Sequence, residues 1–328
     1  MLMLAGIGLL YSALGTLNMA HIINHENLNA AFGFIVGLGL LIGLFLDSEL
    51  FPFNAWVPDV YQGAPSSFSA ALAGIGGLSG VLVLSRIFNT VMRGKAFEYS
   101  YEKISIVFFI IAIASIFFGE LAALKEKNLK KLLGFSSIGQ MGIVAMGLAL
   151  GLSVSIYAAL FILLAHSAAK TIMLLIAGHF SEVTGTNDYT QMKGVGRKHP
   201  ILAGVFVISS LSLMGIPLFM GFWGKIELIK NLFAGNTLAL IGAVVLLFSI
   251  IIEGTYLMKV SHTFFEAPEK DFQKKRNIIL VASGVVFSLA IIFVGLCPDS
   301  VSSIIKSIQI DLTDTGAYIS NILKAGGL

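Results

Sequence analysis

An apolar run over residues 200–232 is long enough to cross a bilayer, but its middle contains residues that interrupt helices. Gly215 and Pro217 lie there, followed by Lys225. Proline removes a backbone donor and clashes with the preceding turn, and glycine lowers helix propensity by roughly 1 kcal/mol per site. We therefore predict a helix that breaks near the middle of the membrane, where irregular backbone is tolerated only inside protein or beside a wet cavity. Because a lysine at a helix centre costs at least about 2.5 kcal/mol, a broken span with a buried lysine indicates an ion or proton pathway.

Lys225 has a second interpretation that the sequence leaves open. A long lysine side chain can snorkel to an interface, with Trp223 as an interfacial ring and the break serving only to ease packing. The two interpretations differ in the depth and surroundings of the Lys225 amine.

The composition is that of a polytopic all-α membrane protein. Of 328 residues, 56% are hydrophobic and 12% are charged, about half the charge of soluble domains, and the mean hydropathy is +0.90. A net charge of +3 is too small to suggest nucleic acid as a partner, and the single Cys297 excludes an intrachain disulfide and any multi-cysteine metal site. No nucleotide fingerprint or metal-ligand spacing is present, so we predict no cofactor and no metal. The first apolar stretch has no basic residue before it, and we expect no cleaved signal peptide.

Windows of about 20 apolar residues predict about nine transmembrane helices. They cover residues 2–22, 30–51, 66–92, 104–124, 129–151, 154–180, 200–232, 237–263 and 277–297. After the last span, Ile304, Ile305, Ile308 and Leu312 recur at helical spacing, so the tail is predicted to lie on the membrane surface as an amphipathic helix.

Loop lysines and arginines predict the orientation, because positive residues accumulate on the cytoplasmic side. The side that includes residue 1 receives eleven: Lys125, Lys127, Lys130, Lys131, Lys193, Arg197, Lys198, Lys270, Lys274, Lys275 and Arg276. The opposite side receives about six: Arg93, Lys95, Lys103, Lys230, Lys306 and Lys324. We therefore expect a multi-pass protein of the cell membrane with its amino terminus in the cytoplasm.

A second interruption lies between the second and third predicted spans. Residues 51–65 contain Pro52, Pro58 and Pro65 among aromatic side chains, and three prolines cannot continue one helix. We predict a second broken helix with a short re-entrant piece. Two interrupted segments in one membrane chain suggest two structural repeats.

Four segments resemble the antiporter-like subunits of respiratory complex I, especially the N-type subunit. They are residues 52–65 (PFNAWVPDVYQGAP), residues 128–142 (NLKKLLGFSSIGQMG), residues 166–170 (HSAAK) and residues 215–225 (GIPLFMGFWGK). The same family includes subunits of Mrp-type cation/proton antiporters and of membrane-bound hydrogenases. The resemblance covers nearly the whole chain, with the four motifs in the family's order.

The resemblance implies a fold of about fourteen helices built around two inverted five-helix repeats. The first span is similar to the family's helix six and the last to helix fourteen, so we expect a chain that is truncated at its amino-terminal side. Residues 1–103 would form a partial first repeat, similar to helices six to eight. Residues 104–265 would form a complete second repeat, similar to helices nine to thirteen, and residues 266–328 the last transmembrane helix and a surface tail.

Several positions depart from the family pattern. Asp47 stands at the position of the family's helix-seven lysine, and Gly77 stands at the position of its helix-eight lysine. Gln140 occupies a helix-ten position that is often histidine, and glutamine cannot exchange a proton near neutral pH. Together with the missing helix-five glutamate, these departures imply that the amino-terminal proton site is dismantled or inverted in sign.

The resemblance implies a proton relay through His166, Lys170 and Lys225 in the second repeat. His166 and Lys170 are four residues apart and share a helix face, and both residue types can exchange protons near neutral pH in a buried setting. Glu253 is an isolated carboxylate in an apolar span, and its partner would be Lys225 or Lys170. The alternatives are a hydrogen bond in a helix interface for His166 or Lys170, and a structural ion pair for Glu253.

Four further carboxylates lie in or near the predicted spans. Asp47 and Glu49 close the second span two residues apart. They could bind a sodium ion with backbone carbonyls, pair with a lysine of a neighbouring subunit, or lie at the cytoplasmic interface. Glu227 lies about 200° around the helix from Lys225 and is expected to face elsewhere. Glu120 lies near a basic loop and is expected to form a surface ion pair.

These observations predict a subunit that translocates protons or sodium ions within a redox-driven multisubunit membrane complex. It would be a non-redox membrane subunit of an oxidoreductase complex that is NADH dehydrogenase-like, hydrogenase-like or sulfur-reductase-like. Its partners would be other membrane subunits and the lipid bilayer. Loss of the first-repeat site allows an alternative, a structural subunit that has lost pumping and serves as a spacer or docking surface. A stand-alone solute carrier is a third hypothesis, but the sequence offers no convergent polar pocket for a substrate.

Overall fold

The computed structural model describes residues 1–26, 28–268, 272 and 277–325, with side chains through residue 320. Some of the basic residues that predict the orientation lie outside this part of the chain: Lys270, Lys274, Lys275, Arg276 and the side chain of Lys324. The described residues form helices and no strands, which confirms the all-α prediction.

Sixteen α-helices follow one another along the described residues. They are α1 (Leu2–Leu14), α2 (Met19–Asn24), α3 (Ala30–Asp47), α4 (Trp56–Gly63), α5 (Ser66–Ala71), α6 (Gly77–Arg86), α7 (Tyr101–Lys125), α8 (Leu129–Leu150), α9 (Ser153–Thr184), α10 (Val195–Lys198), α11 (Pro200–Met214), α12 (Gly221–Phe233), α13 (Thr237–Phe265), α14 (Ile278–Leu296), α15 (Asp299–Thr313) and α16 (Thr315–Ala325). Two π-helical stretches, Leu72–Gly76 and Ile87–Val91, extend α5 and α6 into one continuous segment.

Seven segments of the described chain are long and apolar enough to cross a membrane. They are Ala30–Asp47, Ser66–Val91, Tyr101–Lys125, Leu129–Leu150, Ser153–Thr184, Thr237–Phe265 and Ile278–Leu296. Two shorter apolar helices, α1 and α11, lie within the remaining two predicted spans. Each predicted segment is therefore present as an apolar helix, and the predicted fold class is confirmed.

The first segment is shorter than predicted. α1 ends at Leu14 because Gly15 adopts a left-handed conformation with φ 66°. A separate helix, α2, begins at Met19 with the side chain of Asn18 as its cap. The 13 residues of α1 rise about 20 Å, less than the hydrocarbon core of about 30 Å. The prediction of one continuous helix over residues 2–22 is therefore wrong.

Both predicted breaks are present. α11 ends at Met214, where Gly215 has a left-handed φ of 77°, and α12 begins only at Gly221. α3 ends at Asp47, and the next helix, α4, begins at Trp56. Glycine and proline positions therefore predicted both interruptions.

Each break also contains one residue with an unfavourable backbone conformation. Among the described residues, the non-glycine residues with positive φ are Glu49, with φ 60°, and Leu218, with φ 79°. A left-handed conformation costs a residue with a Cβ roughly 1–2 kcal/mol. The packing around both breaks must therefore hold them in place.

The centre of the bundle is formed by α8 and α9. In the most apolar 18-residue stretch of each helix, 94% of the residues are buried for α8 and 78% for α9. α7 lies very close to α8, because a Cβ added at Gly119 would be 2.4 Å from the backbone nitrogen of Gly139. α9 in turn contacts α5, α11, α12, α14 and α15. Polar side chains in the middle of α8 and α9, such as Gln140, His166 and Lys170, are therefore shielded by other helices.

The first two sequence motifs meet where α4 packs on α8. Lys131 Nζ lies 3.0 Å from Asp59 Oδ1, and Lys130 Nζ donates a hydrogen bond to the Ala64 carbonyl at 2.5 Å. Both lysines belong to the first turn of α8, and both acceptors belong to the segment that follows the first break. The paired motifs therefore hold α4 against α8 at the centre of the bundle.

The carboxyl-terminal tail folds as two helices, α15 and α16. Ile305 and Leu312 of α15 are buried, whereas Ile304 is 60% exposed. Thr90 Oγ1 donates a hydrogen bond to the Leu312 carbonyl at 2.7 Å, so α15 packs against the end of the third predicted span. The tail is helical, as its spacing predicts, and its position relative to a membrane surface stays a prediction.

We expect Gly119→Leu to destabilise the protein, because the new side chain would have to displace the α8 backbone at Gly139. Overpacking typically costs about 1–3 kcal/mol, which should lower the midpoint of thermal unfolding in detergent. Gly204→Leu is the matched control, since a Cβ at Gly204 meets nothing within 4 Å. Equal unfolding midpoints for the two variants would contradict the close packing of α7 on α8.

Candidate ion pathway

Lys225 lies in the second turn of α12, beside the broken end of α11. The N–H of Gly215 donates hydrogen bonds to the carbonyls of Leu211 and Ser212. The next carbonyl, that of Leu213, accepts a hydrogen bond from the Lys225 amine. Because the carboxyl end of a helix has a partial negative charge, a cation is favoured at this position.

Lys225 forms a buried ion pair with Glu253 of α13. Its Nζ lies 2.9 Å from Glu253 Oε2, and the two side chains are 4% and 0% exposed. A snorkelling lysine would be exposed at its amine, so the structure favours the interpretation of Lys225 as a buried cation. The partner of Glu253 is Lys225, one of the two lysines that the sequence proposed.

Gln140 of α8 holds the other side of the Glu253 carboxylate. Its Nε2 lies 2.7 Å from both Oε1 and Oε2 of Glu253. A neutral amide donor fixes a carboxylate without adding a charge of its own. The family pattern identified Gln140 only as a lost histidine, whereas the structure gives it a positioning role.

His166 and Lys170 lie one turn apart on α9, and both are buried. Lys170 Nζ donates a hydrogen bond to the Leu133 carbonyl of α8 at 3.0 Å. His166 Nδ1 has no hydrogen-bond partner among the described residues. Since an unpaired buried polar atom is costly, this ring nitrogen has the capacity to accept or donate a further hydrogen bond.

α8 connects the two lysines. It supplies the acceptor of Lys170 at Leu133 and the donor to Glu253 at Gln140. Seven residues, or two turns, separate these positions, so the two contacts lie on one face about 10 Å apart along the helix. One hydrogen bond spans only about 3 Å. Proton movement between the two contacts would therefore need an intermediate carrier, such as water or the His166 ring.

Glu120 is a buried residue, and the expectation of a surface ion pair for it is wrong. It is 1% exposed, and its Oε2 accepts a hydrogen bond from Tyr256 OH at 3.0 Å. Tyr256 follows Glu253 by three residues on α13, so both side chains lie on the same helix face. The close α7–α8 contact turns Glu120 inward, away from the basic loop. Its isolation in an apolar span was the signal that could have identified it.

Asp47 and Glu49 lie in the first break, in different surroundings. Asp47 is exposed, whereas Glu49 is 1% exposed and accepts a hydrogen bond from Tyr61 OH at 3.0 Å. Glu49 Oε2 has no hydrogen-bond partner in the described part of the chain. Both residues line one cavity of about 450 Å³. A cation or a partner's lysine at this position stays a prediction.

Glu227 faces away from the Lys225–Glu253 pair, as predicted. Its Oε1 lies 2.8 Å from Lys230 Nζ, in a pair that is partly exposed. Within the described ranges, no group of three or more His, Cys, Asp and Glu side chains is placed to hold a metal ion.

Comparisons with known proteins agree with this architecture. The profile of the family described as NADH:quinone oxidoreductase/Mrp antiporter, transmembrane, matches residues 1–252. NADH-quinone oxidoreductase subunit N of Polaromonas naphthalenivorans (strain CJ2) is 29% identical over 94% of this chain. A Na(+)/H(+) antiporter subunit of Bacillus subtilis (strain 168) is 27% identical over 98% of it. This chain spans 65% of the length of each of these curated relatives.

A solved structure has the same fold. It is that of the membrane-bound sulfane sulfur reductase, an archaeal respiratory membrane complex, in which one chain superposes with a TM-score of 0.89 at 27% identity. The match covers 98% of this chain and 65% of that chain. Since the family match extends over most of the sequence and the helices agree with it, this chain is a multi-pass membrane protein that belongs to the NADH:quinone oxidoreductase/Mrp antiporter transmembrane family.

Proposed function

We propose that this chain is an ion-translocating, antiporter-like subunit of a redox-driven multisubunit membrane complex. In this proposal the ion, a proton or sodium, moves through His166, Lys170, Lys225 and Glu253. The main support is the Lys225–Glu253 pair, which is buried beside a break between two half-helices. The names of the relatives, an NADH-quinone oxidoreductase subunit and a Na(+)/H(+) antiporter subunit, support the same class of function.

A buried ion pair is an inefficient way to stabilise a fold. Taking two charges out of water costs several kcal/mol per ion, and replacing such a pair by well-packed apolar residues is often neutral or stabilising by about 1–4 kcal/mol. Lys225 and Glu253 are nevertheless at the centre of the bundle, with Gln140 bonded to the carboxylate. This arrangement supports a role in ion movement, the usual role of ionisable residues inside a membrane.

The geometry supports a proton route along the inner face of α8. Within the pair, a proton on Lys225 can move to Glu253 across their 2.9 Å contact, which leaves both side chains neutral. Arrival of the next proton at Lys225 restores its charge, and departure of the first from Glu253 restores the carboxylate. The His166 ring, one turn from Lys170, is the protonatable group with a free nitrogen for the transfer between Lys170 and the pair.

The proposal includes the organisation and orientation of the chain. Residues 1–103 form a partial first repeat, residues 104–265 a complete second repeat, and residues 266–328 the last transmembrane helix and a tail. One break in each repeat supports this division. The excess of loop lysines and arginines on the side of residue 1 supports a cytoplasmic amino terminus. The partners are other membrane subunits, within the lipid bilayer.

Lys225→Ala and His166→Ala should each lower the number of ions translocated per electron pair, because each removes a protonatable group from the route. Redox turnover of the soluble arm should remain measurable. Ion uptake and electron transfer are measured in parallel in inside-out membrane vesicles. Glu227→Gln is the control, since Glu227 pairs with Lys230 away from the route, and it should keep the wild-type ratio. An unchanged ratio in both relay variants rejects the relay.

The double variant Lys225→Met/Glu253→Met separates conduction from a spacer role. Lys225→Met alone leaves a buried carboxylate without its cation and should cost about 3–5 kcal/mol. The double variant should recover most of the lost unfolding midpoint, because methionine fills irregular buried space. We expect it to assemble but to translocate fewer ions per electron pair. Normal translocation by the assembled double variant would favour the structural spacer.

A further inference from the structure

We propose that the first break is a second binding site, in which a hard cation, Na⁺ or Ca²⁺, is held between Asp47 and Glu49. The site belongs to the end of α3 and shares no residue with the Lys225–Glu253 pair. It shares no residue with the relay proposed above, although the charge of Lys170 acts on Glu49.

The carboxyl end of α3 has an unusual charge arrangement. A helix end of this kind has a partial negative charge, so cations are favoured there and anions are not. α3 instead ends with Asp47, Glu49 follows two residues later, and no basic residue lies in its last turn. The partial charge of the helix end and two carboxylates therefore lie close together along the chain. A bound cation would neutralise them.

Glu49 is fixed in position, and one of its oxygens is unused. Its backbone is left-handed, its Oε1 accepts a hydrogen bond from Tyr61 OH at 3.0 Å, and the side chain is 1% exposed. Its Oε2 is buried and has no hydrogen-bond partner among the residues that the structure describes. Leaving a buried carboxylate oxygen unpaired is costly. A ligand of positive charge at Oε2 would remove this cost.

A cavity of about 450 Å³ leads to these carboxylates. Its polar wall includes Asp47, Glu49 and Ser79, and the rest is mainly apolar or glycine. Ser79 Oγ donates to the Gly76 carbonyl at 2.8 Å and keeps its lone pairs as acceptors. Carboxylate, hydroxyl and water oxygens are the ligands that hard cations prefer. The cavity is wide enough for a hydrated ion to approach the exposed Asp47, and the ion has to lose water to contact the buried Oε2 of Glu49.

A small ion fits the site better than a lysine from another subunit. Glu49 Oε2 is almost inaccessible from outside, so an ammonium on a four-carbon stem would have to enter the cavity wall to reach it. A dehydrated ion needs only to lie between this oxygen and the exposed Asp47 carboxylate. None of the described residues that line the cavity is basic. The buried Lys170, whose amine donates a hydrogen bond to the Leu133 carbonyl, acts on Glu49 from within the bundle. The exposed Asp47 has no such counter-charge among the described residues that line the cavity.

The test is equilibrium binding of radiolabelled sodium and, separately, radiolabelled calcium to the full chain, purified with the subunits that accompany it. Choline chloride keeps the ionic strength constant. We expect saturable binding of one of the two ions by the wild type. Glu49→Gln and Asp47→Asn should each weaken it by about tenfold or more, since each removes a charged ligand. Glu98→Gln, which changes an exposed carboxylate outside the cavity, is the matched control.

Thermal unfolding provides a second readout, because a ligand that binds the native state raises the unfolding temperature. The bound ion should raise it for the wild type and Glu98→Gln, and should raise it less for Glu49→Gln. Absence of saturable binding of both ions by the folded wild type overturns the proposal, as does equal binding by Glu49→Gln. Carbodiimide cross-linking of Asp47 or Glu49 to an amine of an accompanying subunit would also overturn it, because the occupant would then be a basic side chain.

Discussion

The ion pair between Lys225 and Glu253 depends on a break in the chain that crosses the membrane. Within a continuous helix each carbonyl already accepts from the N–H four residues further on, whereas the last carbonyls of a helix have no such partner. Because α11 ends at Met214, the Leu213 carbonyl is free for the Lys225 amine. Gln140, on the almost fully buried α8, fixes the carboxylate from the other side. The pair and its two further partners thus lie on four helices, α8, α11, α12 and α13, so its geometry is set by the packing of these helices.

Close packing of α7 on α8 brings a second carboxylate into the same interior. The contact between Gly119 and Gly139 lets the two helices approach, and the residue next to Gly119 is Glu120. A Cβ at Gly139 would meet Glu120 Oε1 at 2.5 Å, so the glycine also provides the space for this carboxylate. The Tyr256 hydroxyl donates a hydrogen bond to the other carboxylate oxygen of Glu120, Oε2. Small residues usually serve helix association in membranes, and here they also determine which polar groups are buried together.

Features that depend on the local backbone could be predicted from the sequence, whereas those that depend on distant partners could not. Gly215 and Pro217 act on their own turn of helix, so the interruption of residues 200–232 was predictable. Gln140 owes its role to Glu253, a residue 113 positions away, and no local pattern reports that contact. Glu120 was misplaced because α7 is apolar all round, so periodicity could not show which face is buried.

The two breaks share a left-handed non-glycine residue but carry side chains of opposite charge. In each, a helix ends inside an apolar region, and a non-glycine residue, Leu218 or Glu49, adopts left-handed backbone. A helix end with a partial negative charge favours a nearby cation in both cases. At the end of α11 the chain provides that cation itself, as Lys225. At the end of α3 the chain provides Asp47 and Glu49 instead, and in our proposal a cation from outside the chain meets the same electrostatic requirement there. On this proposal, Asp47 at the position of the family's lysine changes the source of the positive charge rather than the need for it.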